Sequence, residues 1–99
     1  MKHFLIFVNY TAPIEKIDLI LSENRNFLQS GYDKNILLLS GPNTSRTAGI
    51  ILARSNSLEE IKKFFAFDPY LLNNLASYEF IEFIPVKHQD FLKLWVEDK

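Results

Sequence analysis

The chain has 99 residues, 47% of them apolar, including nine Phe, four Tyr and one Trp. That suits a single domain over residues 1–99, near the small end of what buries a core, and excludes a disordered polar chain. Eleven Lys and Arg against twelve Asp and Glu give a formal net charge of −1, and the cations are scattered, so no nucleic-acid partner is expected.

Cysteine is absent, which removes disulfide and thiolate chemistry and suits a reducing compartment. The apolar run Phe4–Val8 is too short for the core of a signal peptide, and no window approaches the roughly 20 apolar residues of a membrane span. A cytoplasmic location and no membrane partner are the expectations.

Taken in order, Phe4–Val8 is aromatic and β-branched and predicts a buried strand. After Ala12-Pro13 the apolar spacing turns helical through Ile14, Ile17, Leu21 and Leu28, widened by Ile20 and Phe27. Gly31 falls where a left-handed residue would end that helix. Ile36–Leu39 predicts a second strand, stopped by Ser40-Gly41-Pro42, and Gly49–Ala53 a third, joined to it as a hairpin through the turn-rich 43–47. Ser57 and Glu60 form a capping box that starts a helix at Leu58, and Pro69 bars its continuation. Tyr78–Pro85 predicts a fourth strand, and Phe91, Leu92 and Trp95 a short terminal helix.

The order is β-α-β-β-α-β plus a terminal helix, an α+β, ferredoxin-like arrangement. Several strands are apolar on both faces, as in Leu5 and Phe7 against Phe4, Ile6 and Val8. Strands of that kind need cover on both sides. Two helices cover one face, so a second copy of the chain, packed sheet to sheet, is the expected cover for the other.

The runs Ser40-Gly41-Pro42, Arg46-Thr47-Ala48-Gly49-Ile50-Ile51-Leu52-Ala53, Asn56-Ser57-Leu58-Glu59-Glu60-Ile61, Asp68-Pro69-Tyr70 and Ala76-Ser77-Tyr78-Glu79-Phe80-Ile81-Glu82-Phe83 together resemble the YCII-related family, as does Asn24-Arg25-Asn26-Phe27-Leu28. The resemblance is colinear over nearly the whole chain. It implies a homodimer of the dimeric α/β-barrel kind. It also implies a cleft holding a histidine of the first helix and the aspartate of the Asp-Pro pair, a proposed catalytic dyad. A few relatives act on small aromatic compounds, including dehalogenation-type lyase chemistry. The aspartate is present as Asp68; Asn24 stands where the family has its histidine.

Asn24 interrupts the apolar stripe of the first helix, so its amide must find partners, structural or ligand. It cannot shuttle a proton near neutral pH as histidine does. Asp68 is the one catalytic candidate; an Asp-Pro pair also opens turns, and the resemblance favours a carboxylate facing the cleft. Arg25 and Arg46 offer guanidinium forks for a ligand carboxylate, against the plainer reading of solvated or ion-paired arginines. Ser40 lacks the Gly-x-Ser-x-Gly setting of a nucleophile and counts, with Tyr70, among ligand-binding candidates. Phe64, Phe65 and Phe67 read as core or pocket lining. His3 and His88 show no metal-ligand spacing, so neither metal nor cofactor is expected.

Two readings follow. One is a small-molecule-binding protein with lyase- or hydrolase-like chemistry on a small aromatic or carboxylate compound. The other is a non-catalytic dimeric ligand-binding or interaction protein. A histidine beside Asp68 would favour the first, and an Asp68 that merely caps or pairs would favour the second.

Overall fold

Strand β1 (Lys2–Tyr10) runs through the middle of a four-stranded sheet in the computed structural model, which describes residues 1–97. Helix α1 (Ile14–Asp33) follows, then β2 (Leu37–Pro42), β3 (Ala48–Ser55), α2 (Leu58–Phe65), a single turn α3 (Pro69–Leu72) and β4 (Ala76–Phe83). A 3-10 turn at Asp90–Leu92 leads into α4 (Lys93–Glu97). The sheet order is β2-β3-β1-β4, with every neighbouring pair antiparallel. This is the ferredoxin-like α+β arrangement expected from the element order. No helix among the described residues is long and apolar enough to cross a membrane.

Register separates the two faces. Phe4, Ile6 and Val8 sit opposite Ala53, Ile51 and Gly49 on one side and Glu82, Phe80 and Tyr78 on the other. That face meets the apolar stripes of α1 and α2, where Ile17, Ile61 and Phe65 are buried with Phe4 and Ile6. Phe27, Phe64, Phe65, Tyr78 and Phe80 add a chain of tilted, edge-on and stacked aromatic pairs, with centroids 4.7–6.2 Å apart. On the opposite face Leu5, Phe7, Ile50 and Leu52 are half-buried, and Ile81 and Leu39 are exposed. Among the described residues only its His3 and Arg54 end is covered, by Trp95 of α4, 5.3 Å from each.

Several boundaries differ from expectation for physical reasons. Gly31 does not end α1 in a left-handed turn. It lies inside the helix, where a Cβ would come within 2.8 Å of Leu37 and Phe64, so the missing side chain permits close packing. The left-handed residue is Asn35, at φ 59°. Its N–H donates to Tyr32 O and that of Ile36 to Gly31 O, the paired bonds of a Schellman end.

Ser40-Gly41-Pro42 extend β2 rather than stopping it, because on an edge strand the proline's missing N–H leaves no ladder bond unmade. The fourth strand begins and ends two residues earlier than Tyr78–Pro85. Ser57 caps α2 by accepting from Glu60 N at 3.1 Å, but the Glu60 carboxylate accepts from Ser55 Oγ instead of closing the box. Phe67 is neither core nor pocket lining; it is 72% exposed.

Candidate functional site

Asp68 is fully buried, at 0% exposure, and caps the turn that Pro69 starts. Its Oδ1 accepts from Tyr70 N at 3.0 Å and from Asn24 Nδ2 of α1 at 2.9 Å, while Oδ2 accepts from the Tyr78 hydroxyl of β4. Three elements thus converge on one carboxylate. Burial, then the charge of Asp68, push the Tyr78 hydroxyl far above the ordinary phenol value, so it stays protonated and donates.

A cleft of about 770 Å³ opens in front of this network, between α1 and the β2–β3 side of the sheet. Asn24, Arg25, Ser40, Arg46 and Tyr70 all line it. Asp68 does not, which corrects the expectation that its carboxylate faces the cleft. Asn24 and Asp68 bond to each other directly rather than meeting across a cavity, and Asn24 is the member turned toward the opening. Its Nδ2 is committed to Asp68, and no residue among those described bonds its Oδ1.

The remaining lining divides into satisfied and unsatisfied groups. Ser40 Oγ and Tyr32 Oη share a 2.6 Å hydrogen bond. Arg46 pairs with Asp18 of α1 at 2.7 Å. Arg25 has no ion-pair or hydrogen-bond partner among the described residues, although it lies near enough to Tyr10 and Tyr70 to act on their hydroxyls. Tyr70 is 3% exposed, and its hydroxyl has no partner among the described residues. Burial, with Tyr10 and Asp68 beside it, pushes that hydroxyl up to about 12, so it is a donor at neutral pH and not a base. Tyr10, edge-on to Tyr70 at 5.8 Å, is raised as well, chiefly by burial.

Neither histidine takes part. The His3 ring packs on Trp95, and burial lowers its pKa. His88 lies 3.3 Å from Glu97 and 2.9 Å from Gln89 O. Among the described residues no group of His, Asp and Glu has the makings of a metal site.

Sequence reading missed Tyr78 and Tyr10. A signal for Tyr78 was present, since a tyrosine on the apolar face of a strand needs a partner for its hydroxyl, and Asp68 supplies it. Tyr10 carried none, as it lies past the apolar run, after the polar Asn9.

The family model for the YCII-related domain matches residues 1–84. The chain belongs to that family. No curated protein matches the YCII-related chain. Among solved structures it is similar to 5-chloro-2-hydroxyhydroquinone dehydrochlorinase from Burkholderia phenoliruptrix AC1100, solved in complex with 2,5-dihydroxybenzoquinone. The TM-score is 0.67 at 17% identity, covering 90% of this chain and 97% of the other. At that identity the likeness is one of fold. Within the fold, the YCII-related chain sets an amide, Asn24, before the buried carboxylate.

Proposed function

We propose that this YCII-related protein binds a small anionic aromatic or carboxylate compound in the cleft between α1 and the β2–β3 side of the sheet. The observation that carries the reading is the Tyr70 hydroxyl, buried and unpartnered among the described residues, on a side chain that lines the cleft. A buried donor left unpaired costs about 1–3 kcal/mol, which a ligand oxygen would recover. Arg25, uncommitted on the same wall, supplies the charge for an anion. The cleft volume falls in the usual range for small-molecule sites. The solved relative in fold, with its bound 2,5-dihydroxybenzoquinone, supports a small oxygenated ring as the ligand class.

The lining favours binding over proton transfer. Among the described residues it contains no His or Lys, Asp18 is ion-paired, and Tyr10 and Tyr70 hold their protons. Asp68 serves as a positioning residue that orients Asn24. Calorimetric titration with benzoate, salicylate and 2,5-dihydroxybenzoquinone tests the reading. Native protein should bind at least one, Tyr70→Phe about fivefold and Arg25→Ala about tenfold or more weakly. Failure of all three compounds to bind at millimolar concentration would remove it.

A second reading, lyase- or hydrolase-like turnover of such a compound, has one observation on its side. The buried carboxylate lies one hydrogen bond behind the cleft wall, where an imidazole partner would need it. Product formation from the same panel decides it.

Self-association through the open sheet face accompanies either reading. Leu5, Phe7, Ile50, Leu52 and Ile81 form a contiguous apolar surface that α4 leaves uncovered. Sedimentation showing monomer alone at micromolar concentration would rule it out.

A further inference from the structure

An anion entering the cleft meets Arg25 without competition, but not Arg46. Arg46 Nη2 lies 2.7 Å from Asp18 Oδ1, joining α1 to the β2–β3 loop. Both side chains line the cleft and both stay close to half exposed, at 43% and 48%. A pair that open to water is weak and easily exchanged.

The loop does not depend on it. Asn43 Oδ1 accepts from Thr47 N at 2.8 Å and Ala48 N at 3.1 Å, and Arg46 N donates to Asn43 O at 3.0 Å. Arg46 sits in the left-handed region at φ 56°, and these bonds hold its backbone there whatever its side chain touches. The ion pair therefore has no evident structural duty, yet it occupies a cation of the site.

We propose that Asp18 is a resident counter-ion that fills the ligand's anion position on Arg46 and thereby sets the specificity of the cleft. The inference rests on the reading of the cleft as a small-anion site. Asp18 reaches Arg46 through one short contact, whereas a guanidinium fork can take a free carboxylate through two. A ligand carboxylate, or an oxyanion delocalised over two oxygens, displaces Asp18 into water and keeps Arg46 paired. A neutral amide or ester of the same shape leaves Asp18 in place and gains only Arg25 and Tyr70.

The test compares benzoate with benzamide by calorimetry on native protein and Asp18→Asn. Asp18→Ser is a second variant, and thermal unfolding checks that both stay folded. Benzoate should bind about two- to fivefold more tightly to either variant, the range expected for removing an exposed counter-ion, with benzamide unchanged. Benzoate affinity unchanged or weakened in both variants, or benzamide tightening as much as benzoate, would overturn the role of Asp18 while leaving the cleft a binding site. If neither compound binds native or variant protein, this inference falls, and the cleft reading falls with it only if salicylate and 2,5-dihydroxybenzoquinone also fail to bind.

Discussion

Replacing Asp68 should be among the costliest single changes in this molecule, and the size of the loss depends on what replaces it. The carboxylate is fully buried and accepts from three donors on three elements: Asn24 Nδ2, Tyr70 N and the Tyr78 hydroxyl. Asp68→Ala leaves all three facing a small void. Each stranded donor costs about 1–3 kcal/mol, and partial collapse with rotation of the Tyr78 hydroxyl recovers some, so the loss should be about 3–5 kcal/mol. A domain of this size has roughly 5–15 kcal/mol in total, and the melting temperature should fall by about 15–30 °C. Asp68→Asn keeps one oxygen for Asn24 and Tyr70 N. Its new N–H₂ faces the Tyr78 hydroxyl, which can turn and accept, so the loss should be about 1–2 kcal/mol. Urea unfolding followed by circular dichroism, at one fixed protein concentration because the proposed self-association would add stability, gives both values. An alanine variant within about 1 kcal/mol of native, or no gap between the two, would refute the claim that this carboxylate ties α1, α3 and β4 together.

Two further outcomes test the chemistry. Asn24→His should place an imidazole against Asp68 with a pKa above the ordinary histidine value, measurable by NMR titration. Any compound the native cleft turns over slowly by proton transfer should then react about 10²- to 10⁴-fold faster; an imidazole titrating at or below its ordinary value would refute this. At alkaline pH, the raised values of Tyr10, Tyr70 and Tyr78 mean that the folded chain keeps protons the unfolded chain loses from about pH 10 upward. Stability should therefore fall as pH rises from there through Tyr70's value of about 12. Tyr70→Phe should blunt the fall in melting temperature, and an equal fall in native and variant would count against the burial of that hydroxyl.

Much of the fold was written in local spacing. The apolar period changes at Pro13 and again at Ile36, and Ser57 announces α2, because those signals act over a few residues. Gly31 shows where local reading stops. A glycine near a helix end fits both a left-handed turn and a tight helix-to-sheet approach, and only the positions of Leu37 and Phe64 decide. The site was legible in the same uneven way. Asn24 stood out as a polar break in an apolar stripe, and Asp68 as an acid before proline. That the acid turns inward follows from Tyr78 arriving on a strand ten residues later, a register fact that no short motif carries.

The kinked border of β2 has a consequence for how copies of this chain can meet. β2 is an outer strand, and it carries a register shift between Leu37 and Leu39 and ends in Pro42, which has no N–H to offer. A strand from another molecule laid alongside would find its hydrogen-bonding rungs out of step and one missing. The opposite border, β4, carries Glu79 and Glu82, one on each face, charges that discourage a further strand from pairing there. Continuous cross-strand stacking into fibres is obstructed at both borders, so a chain this rich in Phe, Ile and Leu can carry a broad greasy sheet face without zipping into aggregates along its edges.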